Sequence, residues 1–244
     1  MAQQTYTIGN YLATRLEQMG LKHYFMVPGD YNLILLDQLL WNKNIQQIGC
    51  SNELNAAYAA EGYARVNGAG AIVVTFNVGA FSALNGIAGA YNTNDPGANH
   101  YLHHTIGTND FTYQYRMIRN VTCEAVQVLH AEDAPHLIDR AICAALHERK
   151  PTYIEVPCNL AAAPCNEPTP LETLLSSERS DPKALATATD AAAKLLNDAQ
   201  KPVLLAGSKL RAYGAIDAFR ELAEALGYGV AVMPDAKGFF PEEH

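Results

Sequence analysis

No stretch of this 244-residue chain approaches the roughly 18 consecutive apolar residues that cross a bilayer. Residues 1–7 are polar, with neither a basic start nor an apolar run of the kind that marks a leader. A cytoplasmic protein is therefore expected. Clusters of Lys and Arg are also missing, and the formal charge of −8 works against holding a phosphate backbone. Nucleic acid is an unsuitable partner, which leaves small molecules and proteins. The five cysteines, Cys50, Cys123, Cys143, Cys158 and Cys165, are odd in number and include no CxxC pair, so they suggest neither a disulfide framework nor a zinc site. Three fingerprints are absent as well. Without GxGxxG or GxxxxGK[ST] there is little support for a nucleotide-dependent dehydrogenase or kinase, and without GxSxG little for a hydrolase elbow.

What is present is an ordinary globular composition, 49% apolar and 17% charged, enough for one large domain or two modest ones. Residues 8–19 carry Ile8, Tyr11, Leu12, Leu16 and Met19 on one helical face, with Thr7 as N-cap and Gly20 as stop. Residues 23–27 form a short apolar run closed by Pro28 and Gly29, as a buried strand does, and residues 31–41 return to helical spacing. The alternation continues with a strand at 46–49, an Ala-rich helix at 53–67 ending on Gly68, and a strand at 71–76. A small-residue helix at 80–91, a strand at 121–128, a helix at 132–147 and a strand at 152–156 complete the run. Such an order predicts an α/β fold, a doubly wound parallel sheet with helices on both faces.

The rhythm fails once. After the helix ending near Tyr91 the chain enters a polar loop, residues 92–99, with no strand to carry it back through the sheet. One strand is expected to be missing between positions 91 and 92, although an irregular connection would also account for the pattern. Residues 1–160 then read as a first domain and the proline-rich residues 161–183 as a linker. Residues 184–244, with two helices and two strands, read as a second α/β domain cut short, because two strands alone make a marginal sheet.

Three segments can carry chemistry. Asp30, in Val27-Pro28-Gly29-Asp30-Tyr31-Asn32, follows a strand and so stands at the carboxyl edge of the sheet, where α/β folds bind ligands; it could equally cap the next helix. Glu53 follows the next strand and opens a helix whose dipole favours a carboxylate, so it reads either as an ordinary first-turn acid or as a site residue. His103 and His104 are suited to moving protons near neutral pH, or are a solvated loop pair. Beyond His100 no His or Cys joins them at a spacing that would hold zinc, and no metal ligand set is expected in the chain.

Taken together, VPGDYNL at 27–33, CSNELNAAYAAEGYAR at 50–65, VTFNVGAFSALN at 74–85 and HHTIGTNDF at 103–111 resemble the pyrimidine-binding domain of thiamine-diphosphate-dependent 2-keto-acid decarboxylases of the pyruvate decarboxylase family. KPVLLAGSKLRAYGA at 201–215 and AKGFFPEEH at 236–244 resemble the start of that family's central domain. The resemblance implies decarboxylation of a 2-keto acid, pyruvate first among them, to an aldehyde and carbon dioxide. It implies that Glu53 activates the cofactor by hydrogen-bonding its aminopyrimidine, that Asp30, His103 and His104 relay protons and position substrate, and that Thr75 lines the pyrimidine pocket. Thr75 is also what a β-branched strand residue would be without any ligand. A homodimer or homotetramer is implied too. Members of the family carry about a dozen further residues, a strand and a turn, where this chain passes from Tyr91 to Asn92. The family's GDG motif, which holds magnesium and the diphosphate, does not occur in this sequence. A non-catalytic fragment or assembly subunit is the competing expectation.

Overall fold

The structure is a computed structural model that describes residues 6–91, 112–175 and 180–243. His103, His104 and the junction following Tyr91 lie outside the described residues. The chain divides into two compact units, Met1–Ser176 and Ser177–His244.

The first unit starts with α1 (Ile8–Gln18), where the Thr7 hydroxyl accepts from the Asn10 amide at 3.1 Å and Gly20, at φ +86°, turns the chain away. β1 (His23–Met26), α2 (Leu33–Leu39), β2 (Gln46–Gly49), α3 (Glu53–Asn67), β3 (Ile72–Val73) and α4 (Val78–Tyr91) follow. After the undescribed residues come α5 (Tyr113–Ile118), β4 (Glu124–Gln127), α6 (Ala134–Glu148) and β5 (Thr152–Glu155). All strand pairs are parallel. β1 lies between β2 and β3, with His23 opposite Gln46 and Phe25 opposite Ile72, while β4 pairs with β5 from Glu124 opposite Thr152.

The described strands of this unit therefore make two sheets, and β3 and β5 each have a single strand neighbour. β3 is also shorter than the apolar run 71–76 suggested. The chain leaves the ladder after Val73, and Asn77 takes a left-handed φ of +64° where α4 begins.

The core gathers on α1. Ile8, Leu12 and Leu16 pack with Leu36 and Leu39 of α2 and Ile138 and Ile142 of α6. Each such side chain stabilises by about 1.5–3 kcal/mol when fully buried. The Arg15 guanidinium, 0% exposed, donates to Asp139 Oδ1 at 2.6 Å and Oδ2 at 2.8 Å, to the Tyr11 hydroxyl at 3.0 Å and to the Thr169 carbonyl. Residues 161–165 lie along the start of α1 through Ile8 N–H to Ala163 O and Gly9 N–H to Ala161 O, both 3.0 Å, and Cys165 N–H to Tyr6 O at 2.9 Å.

On the other side, α3 and α4 approach closely because both carry small residues where they meet. A Cβ on Gly86 would stand 2.5 Å from Ala57 Cβ, and Ala56, Ala57, Ala60, Ala80 and Ala83 are buried.

The second unit contains α7 (Pro182–Asn197), β6 (Val203–Ala206), α8 (Lys209–Ala212), α9 (Ile216–Leu226) and β7 (Gly229–Val232). β6 and β7 pair in parallel from Val203 opposite Gly229. Its small core holds Ala206, Ala223, Ala236 and Phe239, with the Arg211 guanidinium 4.6 Å above the Phe239 ring.

Candidate functional site

Parallel pairing of β1, β2 and β3 brings their carboxyl ends to one edge, where the next segments begin with Gly29-Asp30, Glu53 and Thr75. Residues distant in sequence thus meet at one corner.

Glu53 is the first residue of α3, but it does not cap that helix. Asn52 does, its Oδ1 accepting from the Asn55 amide at 2.9 Å. The Glu53 carboxyl is directed instead to the start of α4: a Cβ on Gly79 would stand 2.6 Å from its Oε1 and 3.0 Å from Thr75 Cγ2. Thr75 is 6% exposed, and its hydroxyl has no hydrogen-bond partner among the described residues. A buried hydroxyl without a partner costs about 1–3 kcal/mol. The opposite side of Thr75 is closed by Gly29, where a Cβ would stand 2.8 Å from Thr75 Cβ and 3.0 Å from Oγ1.

Asp30 sits on the loop just beyond Gly29 and is exposed. The turn is held by its neighbour Asn32, which accepts from the Gly29 amide at 2.9 Å and donates to the Val27 carbonyl at 3.0 Å. α2 starts at Leu33 with Asn32 in the N-cap position, so Asp30 is not the cap of that helix. Its Oδ1 accepts from the Tyr31 amide at 3.2 Å.

Beside this corner runs a polar chain that the sequence did not signal as part of a site. The Asn77 amide donates to Gln114 Oε1, Gln114 Nε2 reaches the Tyr153 hydroxyl at 2.6 Å, and that hydroxyl donates to Glu155 Oε2 at 2.6 Å. Gln127 donates to the other Glu155 oxygen. Burial pushes the Glu155 carboxyl above the usual carboxylate range despite these donors, and burial with Glu155 alongside pushes the Tyr153 phenol well up. The available signal was the inward polar alternation of Thr152-Tyr153-Ile154-Glu155, an acid at a strand position that one-sided exposure would make apolar.

Glu53, Thr75 and Gly79 together form a small corner with a carboxyl, a hydroxyl seeking a partner, and a floor bare of side chain. Those features suit the edge of a flat heterocycle with ring and exocyclic nitrogens, as an aminopyrimidine has. No group of three or more His, Cys, Asp or Glu that could hold a metal occurs among the described residues. No helix there is long and apolar enough to cross a membrane.

Comparison with known proteins is consistent with this chemistry. Residues 6–96 match the family model described as thiamine pyrophosphate enzyme, N-terminal TPP binding domain, and residues 189–244 match the central domain of the same enzymes. A probable pyruvate decarboxylase of Schizosaccharomyces pombe is 54% identical over 255 aligned residues, covering 99% of this chain and 45% of the relative. Pyruvate decarboxylase of Neurospora crassa is 50% identical over 255, with 99% and 45% covered, and pyruvate decarboxylase 3 of Arabidopsis thaliana is 51% identical over 255, with 98% and 43% covered. The chain spans less than half the length of these relatives. Each alignment also runs over more positions than the chain's 244 residues, so the relatives carry residues that this chain does not. With two domains of one enzyme family matched in order, and half or more of the aligned residues shared with proteins named pyruvate decarboxylase, this chain belongs to the thiamine pyrophosphate enzymes of the pyruvate decarboxylase family.

Proposed function

We propose that this chain supplies the pyrimidine-binding side of a thiamine diphosphate site in a 2-keto-acid decarboxylase that converts pyruvate to an aldehyde and carbon dioxide. The observation that carries the reading is the corner where Glu53 Oε1 and Thr75 Cγ2 both close on Gly79 while the buried Thr75 hydroxyl lacks a partner among the described residues. When bound, thiamine diphosphate supplies the electron sink that makes loss of carbon dioxide from a 2-keto acid feasible.

The residues of this chain bind and move protons. Glu53 presents a carboxyl to a ring nitrogen and shares a proton there at its Oε atoms. Thr75 offers its hydroxyl to the same ring, and the bare Gly79 backbone leaves room for the Glu53 carboxyl. Asp30 on its exposed loop, with His103 and His104, handles protons and the substrate carboxylate. Magnesium and the diphosphate would be held by a part of the enzyme that carries the GDG motif this sequence lacks. In that reading the enzyme is a cytoplasmic homo-oligomer, a dimer or tetramer.

The relatives' extra residues are placed at the junction after Tyr91. Supporting this are alignments that run over more positions than the chain has and, among the described residues, the single strand neighbour of both β3 and β5. Residues 1–160, 161–183 and 184–244 serve as pyrimidine-binding domain, linker and part of the central domain.

The test is aldehyde release from pyruvate by the protein as its gene encodes it, with thiamine diphosphate and magnesium, alone and mixed with candidate diphosphate-binding partners. Glu53→Gln should lower the rate by about 10²–10⁴-fold. An unchanged rate overturns the role of Glu53. The relatives' additional residues favour one second reading, a non-catalytic fragment or assembly subunit, and the fragment reading stands if no partner restores aldehyde release.

A further inference from the structure

The geometry points to Gly79 as the positioning residue that sets where the Glu53 carboxyl and the Thr75 hydroxyl stand, an inference that rests on the pyrimidine-binding role proposed for this corner. Gly79 is the second residue of α4, and its φ lies outside the left-handed region. An alanine would therefore fit the backbone there, and helix propensity favours alanine over glycine. Backbone conformation gives no reason for the glycine.

Space gives the reason. A Cβ at position 79 would stand 2.6 Å from Glu53 Oε1, 3.2 Å from Glu53 Cδ and 3.0 Å from Thr75 Cγ2. A real Cβ essentially never stands that close to another heavy atom, so one methyl group would displace the carboxyl or the helix end. The nearest atom it meets belongs to the carboxyl group itself.

The contact continues across the corner. Thr75 is held from its other side by Gly29, where a Cβ would stand 2.8 Å from Thr75 Cβ. Thr75 thus stands between two bare backbones, one of them the residue before Asp30. Glycines at 29 and 79 leave room for Thr75 and the Glu53 carboxyl where loops from three different strands meet.

The test is a Gly79→Ala substitution in the protein as its gene encodes it, read in two ways. The first reading is thiamine diphosphate affinity by titration, at a temperature where circular dichroism shows both proteins folded. Gly79→Ala should weaken binding by about tenfold or more, and Gly79→Ala combined with Glu53→Asp, whose carboxyl is withdrawn by one methylene, should lose less relative to Glu53→Asp alone. Affinity within about twofold of wild type would overturn the inference.

The second reading is melting temperature without cofactor, compared in the wild-type and Glu53→Ala backgrounds. Gly79→Ala should lower it in wild type and lower it clearly less where the carboxyl is gone, since there only the 3.0 Å contact with Thr75 Cγ2 opposes helix propensity. Equal lowering in both backgrounds would overturn the inference, as would a Gly79→Ala protein that fails to fold and is not restored by Glu53→Ala. Failure of the wild-type protein to bind thiamine diphosphate would count against the proposed function and not against this contact. The melting comparison then decides the positioning role on its own.

Discussion

α1 and α7 begin in the same way and end up in opposite surroundings. Each is an amphipathic helix opened by a side-chain cap, Thr7 accepting from Asn10 in α1 and Asp181 accepting from Ala184 at 2.8 Å in α7. α1 nevertheless buries eight of its eleven residues, while none of the sixteen in α7 is buried, and Leu185 and Leu195 stand 56% and 75% exposed. An apolar stripe tells which face seeks cover; other elements decide whether it is covered. Around α1 those elements are α2, α6 and residues 161–171, and their packing seals even a guanidinium.

The sharpest way to break this contrast is Asp139→Ala. It leaves the fully buried Arg15 without two of its charged contacts and should destabilise the first unit by about 3–5 kcal/mol. Urea unfolding followed through Trp41, which packs edge-on against Tyr6 at 5.4 Å, measures it. Asp217→Ala in the second unit, whose partner Arg220 lies 3.4 Å away and whose own side chain is 88% exposed, should cost less than about 1 kcal/mol by the same assay with a probe in that unit. Comparable losses would mean that the two ion pairs are equally buried in solution.

Next in size is a pair of leucines. Leu16→Ala should cost about 2–4 kcal/mol in denaturant melts, and Leu195→Ala should stay within about 0.5 kcal/mol. A large loss at Leu195 would show that in the whole protein a further element covers α7, removing the contrast at its origin.

The smallest effect concerns Glu155. Burial raises its carboxyl in the fold, whereas in the unfolded chain it ionises near the usual value of about 4.3. The folded state therefore binds the proton more tightly. Stability from this group is fullest below the unfolded value, falls as pH rises through the interval up to the raised folded value, and is level above it. Glu155→Gln should flatten that decline when urea midpoints are compared across the interval. An identical slope in wild type and variant would exclude Glu155 as its source.

Local chemistry made much of the fold readable. The limits of α3 follow from Asn52 as cap and Gly68 at φ +89°, and the residues of β2 follow from a short run between turn signals. α5 was not anticipated, because Tyr113, Gln114 and Tyr115 present no helical apolar spacing; it is held by burial of Tyr113, Gln114 and Ile118. Proline-rich composition at residues 161–183 suggested only a linker. That residues 161–165 lie along α1 depends on backbone hydrogen bonds to residues more than 150 positions away, which composition does not encode.

The candidate site divides along the same line. Glu53 was visible by residue type and by its place after a strand, and Thr75 only through the family resemblance, while Asp30 retained two readings until Asn32 proved to hold its turn. Gly79 offered no such sign, since a glycine carries no chemistry of its own and its meaning lies in what stands 2.6 Å from the missing methyl group.

Local sequence set the order of most helices and strands, because caps, turns and apolar runs act over a few residues, and its motifs carried the family. Tertiary structure alone decided that Gly29, Glu53, Thr75 and Gly79 share one corner. Parallel pairing through β1 aligns the carboxyl ends of three strands, and only that alignment brings the Glu53 carboxyl of one loop against the bare backbone of another.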